Sequence, residues 1–417
     1  MGEIVTLDLV LGGGEGSRLF PLTGKRAKPA VPIGAKYRVI DPVLSNIVNS
    51  GGEHIYVLIQ YKPDSLIRHV NNVWNKEGIR VNIRRADHKY DGTADAVYQN
   101  RDLISKINPD VVNVFGGDHI YLMDVSQMNN FHLDNKADLT IAAIPVPLGE
   151  SRKFGVLEVD EKWLVTGFEE KPANPKPIPR NPEFCLASMG IYNFNPKRVV
   201  RYLETDARKT KPEGESEEVL ELVRSNPQLY SLHDFGHNII SAMMEEGRVF
   251  AYNFANNRIV GAPAAPYWRD IGKLIDFYNV HRDMMGNNPA IRLDLPDWPV
   301  RTFKEAHKKP RINPAAQVLE SILAEGVIIG KSVVDESSIS YNVKVGERAV
   351  VTQSIFLGNV TVGSRARLNR VIVDKNVRIP GGAEIGFYKD EDQARGFTVV
   401  PGGITVISRD YKFHRTA

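Results

Sequence analysis

Cysteine is nearly absent: Cys185 is the only one among 417 residues. A lone thiol cannot close an internal disulfide. The chain is therefore not a disulfide-stapled secreted scaffold, and a reducing cytoplasm is its expected setting. Cys185 is expected to be a small, partly buried apolar residue. A charge bias is also missing. Lys plus Arg number 53 and Asp plus Glu 50, a net charge of +3, far from the basic surplus of a nucleic-acid binder. No apolar run is long enough to span a bilayer. The opening Met1-Gly2-Glu3-Ile4-Val5-Thr6 lacks the basic front end of a secretory signal. It fits the loose myristoylation pattern. However, residues 4–11 read as a buried strand, which leaves no flexible lead for an acylated terminus.

What is present is the balance of a globular protein, 42% apolar and 25% charged. The length implies two domains. In the first two-thirds, apolar runs at Val5–Leu11, Ile55–Ile59, Val111–Phe115 and Leu139–Ile144 alternate with helix-like segments such as Pro63–Val73 and Asp95–Ile104. Strands separated by helices predict an α/β fold, with a mostly parallel sheet covered on both faces. Ligands of such sheets collect beyond the carboxyl ends of the strands.

The last third is periodic. Asn342-Val343-Lys344-Val345-Gly346 recurs 17 residues on as Asn359-Val360-Thr361-Val362-Gly363, and 17 further on as Asn376-Val377-Arg378-Ile379-Pro380. An earlier copy, Gly326-Val327-Ile328-Ile329-Gly330, precedes the first by 16 residues. A small residue follows each copy, at Val333, Ala349, Ala366 and Ala383. An aliphatic and a small position at fixed period predict the coils of a parallel β-helix. The expected division is a catalytic domain at 1–286, a proline- and charge-rich linker at 287–317 and a β-helix domain at 318–417.

Leu11-Gly12-Gly13-Gly14-Glu15-Gly16-Ser17-Arg18-Leu19 follows the first strand. Its glycines let backbone N–H groups close around a phosphate chain. It is neither a Walker loop nor the dinucleotide fingerprint. The basic run Lys25-Arg26-Ala27-Lys28-Pro29-Ala30-Val31 comes soon after and suits a triphosphate. Asp118 follows the strand Val111–Phe115 at the mouth of the sheet, and Asp270 lies beside Tyr267 and Trp268. Two carboxylates brought together suit Mg²⁺, a hard cation with oxygen ligands. His119 has no partner at zinc-site spacing and is assigned neither zinc nor base catalysis.

These segments resemble the signature of ADP-glucose pyrophosphorylases. The resemblance continues in Gly92-Thr93-Ala94-Asp95-Ala96, Gly117-Asp118-His119-Ile120-Tyr121, Phe168-Glu169-Glu170-Lys171-Pro172, Ala187-Ser188-Met189-Gly190 and Tyr267-Trp268-Arg269-Asp270-Ile271-Gly272. It covers nearly the whole catalytic region, and the carboxy-terminal β-helix, of the left-handed hexapeptide type, is also a family feature. The resemblance implies transfer of the adenylyl group of ATP to glucose-1-phosphate, with Mg²⁺ held by Asp118 and Asp270. Arg18, Lys28 and Asp118 are the implied catalytic residues. Gly13, Gly14, Gln60, Gly92 and Gln99 fall on the nucleotide side. Gly155, Glu170, Lys171, Ser188 and Asp270 fall on the glucose-1-phosphate side. Lys25, Arg26, Arg38 and Arg68 match an anion pocket for phosphorylated effectors, and a homotetramer is implied. Glu15 stands where many bacterial relatives have arginine, and His54 where some have lysine. Both departures bear on the type of regulation rather than on activity. A UDP- or dTDP-sugar pyrophosphorylase and a non-catalytic regulatory subunit are the competing expectations. Retention of Arg18, Lys28, Asp118, Lys171 and Asp270 argues against the second.

Overall fold

The computed structural model describes residues 4–76, 79–214, 216–263, 265–302 and 309–413. Gly2, and with it the acylation pattern, lies outside the described residues. Among those residues no helix is long and apolar enough to cross a membrane.

The first apolar run forms the strand Thr6–Leu11 at the centre of a nine-stranded sheet. It pairs in parallel with His54–Ile59 on one side and Val111–Gly116 on the other. Val81–Arg85 adds a further parallel strand beyond His54–Ile59. On the other flank the long strand Phe184–Phe194 runs antiparallel to Val111–Gly116 and carries Leu139–Pro147 and Gly155–Val159. The run is apolar at successive positions because both faces are covered. Leu7 and Leu9 pack with Val97, Leu103 and Phe194, whereas Val10 packs with Val43, Leu44, Val70 and Trp74. Asp8 interrupts the run. Its carboxylate accepts hydrogen bonds from Asn113 and Thr6, both at 2.8 Å, and burial pushes its pKa up to about 6. Cys185 is completely rather than partly buried.

The segment Asp95–Ile104 is not one helix. Helices span Thr93–Gln99 and Asp102–Ile107. The break falls at Asn100, whose side-chain amide donates to the Ala96 carbonyl (2.8 Å) and to the Tyr90 hydroxyl (3.1 Å). A side chain that bonds back to the preceding turn competes with helix continuation.

After residue 311, short strands stack into three parallel ladders. Arg311–Ile312, Ile328–Ile329, Lys344–Val345, Thr361–Val362 and Arg378–Ile379 form one face of the coil. Val327, Val343, Val360 and Val377 are fully buried, as are Ala349 and Ala366. The asparagine that opens each 17-residue copy has a structural cause. Asn342, Asn359 and Asn376 all have positive φ, at 57°, 53° and 65°, a region asparagine tolerates. Their side chains join in a ladder, at 3.3 Å and 3.2 Å, that ends on Asp410 at 2.8 Å.

Two features differ from the sequence expectation. Val333 stacks on Val350 rather than on Ala349, and Ser332, 17 residues before Ala349, is the buried small residue of its coil. The turn there is one residue shorter, which displaced the apparent match. In addition, the first rung, Arg311–Ile312, begins inside the segment read as linker. Part of the remainder clamps the helix Ile40–Asn49. The Trp298 indole donates to Asn46 (3.1 Å), and the Thr302 hydroxyl to Asp41 (2.7 Å). The two domains also share an apolar junction, with Ile271, Phe277 and Tyr278 against Leu357, Ile372 and Val406.

Candidate functional site

The glycine loop leaves the strand Thr6–Leu11 at its carboxyl end, on the rim of a cleft of about 830 Å³. Gly13 and Gly14 line the cleft. Gly16 has φ 63° and leaves a built Cβ only 3.0 Å from Lys28 and Thr23, so both conformation and space select glycine. The turn that follows presents Arg18, exposed, to the cleft.

Lys28 is almost completely buried, and its ammonium bridges two carboxylates, 2.8 Å from Asp118 Oδ2 and 3.3 Å from Asp270 Oδ1. The meeting of these aspartates rests on a pairing that sequence spacing could not show. The strand Trp268–Asp270 runs antiparallel to His119–Tyr121 and sets Asp270 opposite His119. Burial opposes ionisation of Asp118, but Lys28 and then His119 outweigh it and hold the carboxyl at about 2. Burial likewise opposes the charge on Lys28, and Asp118 and Asp270 outweigh it, so its pKa is raised.

Ligand atoms of Asp118, His119 and Asp270 lie within 4.8 Å of one another. The paired carboxylates offer the hard oxygen donors that a divalent cation takes, and a positive charge already lies between them in the Lys28 ammonium. The donor set therefore fits such an ion. His119 Nδ1 is buried and has no hydrogen-bond partner among the described residues, and the ring packs edge-on against Trp268 at 5.2 Å.

Gln60, Gly92, Gly155, Glu170, Lys171 and Ser188 line the same cleft. Gln60 Oε1 accepts the Tyr90 amide at 2.9 Å. Lys171 extends from a left-handed backbone position (φ 51°) and pairs with Glu170 at 2.9 Å. Gln99 is the exception. It is not among the residues that line the cleft, and its amide donates to Asp95 (2.7 Å) and to the Lys89 carbonyl (3.4 Å). Sequence reasoning missed Thr93, Tyr192, Asp234, His237 and Trp268, which complete the walls. Thr93 and Trp268 lie inside segments already singled out. The only sign of Asp234 was an aspartate ahead of glycine, where it caps the turn from 235 by accepting the Gly236 amide at 2.8 Å.

The other basic residues gather at the domain junction. Lys25 pairs with Asp410 at 2.8 Å, and Arg26 forms a buried ion pair with Asp374. Arg38 donates to the Ala30 carbonyl (3.0 Å) and to Ser65 (2.9 Å). Burial lowers its pKa to about 10, partly offset by Asp41 and reinforced by Arg26, Arg68 and Arg409. Burial, then Arg38, Arg26 and Arg409, lowers Lys375 to about 8. Lys375 and Arg409 come from the β-helix and were not anticipated. Nothing in the 17-residue period calls for Lys375, since Tyr341 and Gly358 hold its place in the preceding coils.

A glycine loop at the carboxyl end of parallel strands, facing paired carboxylates bridged by a lysine across one cleft, is the arrangement of a nucleotidyltransferase. Residues 7–286 match the family described as nucleotidyl transferase, and residues 304–407 match a GlmU-like, C-terminal hexapeptide family. The chain belongs to the glucose-1-phosphate adenylyltransferase family. It is 44% identical to the protein of that name from Thermus thermophilus, over 99% of this chain and 100% of the relative. It is 38% identical to that of Deinococcus deserti, over 98% and 99% of the two chains. It is 39% identical to glucose-1-phosphate adenylyltransferase 1 of Vibrio parahaemolyticus, over 97% and 98%.

Proposed function

We propose that this chain transfers the adenylyl group of ATP to glucose-1-phosphate, giving ADP-glucose and pyrophosphate. The supporting observation is the Lys28–Asp118–Asp270 cluster facing Glu170 and Lys171 across one cleft. A sugar phosphate has a second pKa of about 6 and is mostly dianionic at neutral pH. One of its oxygens attacks the α-phosphorus of ATP, a new P–O bond forms, and the bond to the bridging oxygen of pyrophosphate breaks. The nucleophile loses no proton, so no general base is required and His119 needs no such role. The residues align the reactants and oppose charge. Arg18 and the glycine loop hold the triphosphate. Lys171 holds the sugar phosphate as a point charge, and Glu170 accepts hydrogen bonds from sugar hydroxyls. Asp118 and Asp270 would hold Mg²⁺, which supplies charge stabilisation to the phosphates when bound. Purified chain given ATP, glucose-1-phosphate and Mg²⁺ should release ADP-glucose and pyrophosphate in equal amounts. Failure to form either product excludes the reading. ADP-glucose would then serve as glucosyl donor for glycogen or a similar α-glucan.

Lys171→Ala should raise the KM for glucose-1-phosphate by about 10- to 150-fold, the equivalent of roughly 1.5–3 kcal/mol for one charge-assisted contact. The KM for ATP should stay near the parent value. An effect confined to ATP would move Lys171 to the nucleotide side.

Arg38 and Arg68, together with Lys375 and Arg409, make the junction an anion site for phosphorylated effectors, with Arg26 held there in its buried pair with Asp374. Lys25, paired with Asp410, lies at its edge. Such an effector regulates only if it binds two states of the enzyme with different affinity. Arg38→Ala and Arg68→Ala, made separately, should keep unstimulated activity and lose the response to sugar phosphates and inorganic phosphate. Parent-like responses in both would place regulation elsewhere. Ile312 and Leu319, about half exposed on the first coil, support assembly of the chain into the homotetramer that the family resemblance implies.

A further inference from the structure

His233 is nearly buried, 8% exposed, beside the cleft rather than in it. Its Nδ1 lies 2.8 Å from Asp206 Oδ2. A carboxylate acceptor there places the ring proton on Nδ1. The other oxygen of Asp206 accepts the Ser231 hydroxyl at 2.7 Å, and Ser231 Oγ in turn accepts the His233 amide at 2.8 Å. These three side groups close a small buried ring of hydrogen bonds. It holds His233 in the left-handed region, at φ 54°, a conformation that costs a non-glycine residue roughly 1–2 kcal/mol.

That conformation aims the His233 carbonyl at the start of the helix Thr93–Gln99. The carbonyl accepts the amides of Ala94 (2.9 Å) and Asp95 (3.3 Å). Gly92 has no side chain to cap this helix, so the carbonyl satisfies amides that would otherwise be orphans. The fit leaves no room, since a Cβ on Gly92 would stand 2.2 Å from the His233 oxygen. The next residues add a second stitch. The Thr93 hydroxyl donates to Asp234 (2.8 Å) and accepts the Phe235 amide (3.0 Å). Gly92 and Thr93 belong to the nucleotide wall. The 234–237 turn stands beside the sugar side, because a Cβ on Gly236 would lie 3.7 Å from the ring of Phe168.

We propose that His233, locked by Asp206, is a positioning residue that fixes the separation of the nucleotide and sugar walls. It touches neither substrate and acts through Gly92, Thr93 and Asp234. This inference rests on the reading of the cleft as the ATP and glucose-1-phosphate site. The signature of such a tether is coupling, so disturbing it loosens both substrates at once.

The test is steady-state kinetics on full-length variants, with both substrates varied. His233→Ala should raise the KM values for ATP and glucose-1-phosphate together, each by about tenfold, because misplaced walls lose contacts to both. His233→Asn should restore both KM values to within about twofold, since asparagine tolerates positive φ and its amide can donate to Asp206. Gly92→Ala keeps the His233–Asp206 bond but displaces the carbonyl, and it should raise the same two KM values even if the alanine variant at 233 does not fold. A role limited to stability would lower the active fraction and leave both KM values unchanged. Parent KM values in His233→Ala or in Gly92→Ala overturn the proposal, as does an asparagine variant no better than the alanine one. Absence of ADP-glucose synthesis in the parent protein would instead overturn the reading of the cleft.

Discussion

Asp118→Asn should lower kcat by about 10²- to 10³-fold, the scale on which one electrostatic group opposing developing charge contributes, while the affinity for ATP changes little. The substitution preserves the shape of the side chain and removes its charge. Asp118 is 2.8 Å from Lys28 Nζ and is held at about 2, so it is ionised at every pH where the enzyme would work. Lys28 keeps Asp270 at 3.3 Å, so the variant does not strand a buried ammonium without a partner. The loss belongs in the chemical step, because charge builds up most in the transition state. Turnover should be measured at saturating substrates and ATP affinity by equilibrium binding. Unchanged turnover in a folded Asp118→Asn protein contradicts the assignment. The depressed pKa of Asp118 also carries a sign for stability. Its contribution is complete above the ordinary value of 3.8 and is lost as pH falls through about 2.

The second large effect is expected at the junction. Arg26 and Asp374 form an ion pair with side chains only 3% and 1% exposed. Breaking a buried pair by removing one partner leaves an uncompensated charge and costs about 3–5 kcal/mol. Asp374→Ala should be the more damaging change, because Arg26 would then face the cations of Arg38 and Lys375 without an anion. Replacing both partners, as in Arg26→Met with Asp374→Leu, should recover most of the loss, since neither charge remains buried. Denaturant titration of the two single variants and the double variant measures this. Single-variant losses below about 1 kcal/mol, the range of exposed pairs, would show that the pair is effectively solvated.

What was legible in the sequence was whatever a local pattern encodes. The glycine loop and Asp118 each follow an apolar run, and a strand end at the mouth of the sheet is where ligands gather. The period of 17 encodes the β-helix because each coil repeats one turn geometry, visible in the left-handed asparagines. What depends on distant pairing was not legible. Asp270 reaches Asp118 only through the antiparallel pairing with His119–Tyr121. Lys375 and Arg409 meet Arg38 only because the β-helix docks on the catalytic domain. The resemblance placed Gln99 on the nucleotide side, whereas its amide is engaged by Asp95. Val333 matched the small-residue pattern by count, yet one shortened turn moved that place to Ser332. The resemblance to a family supplied the substrates, and the geometry supplied the reason those residues stand together.

The central claim is adenylyl transfer to glucose-1-phosphate, and nucleotide choice tests it most directly. With glucose-1-phosphate and Mg²⁺ fixed, kcat/KM should be measured side by side for ATP, UTP and dTTP, with and without a sugar-phosphate activator. A site that hydrogen-bonds one base rejects another because its polar groups are left unpaired. ATP should therefore exceed both alternatives by at least about 100-fold. Equal or greater kcat/KM with UTP or dTTP would contradict the account, even though the chain would still be a sugar-phosphate nucleotidyltransferase.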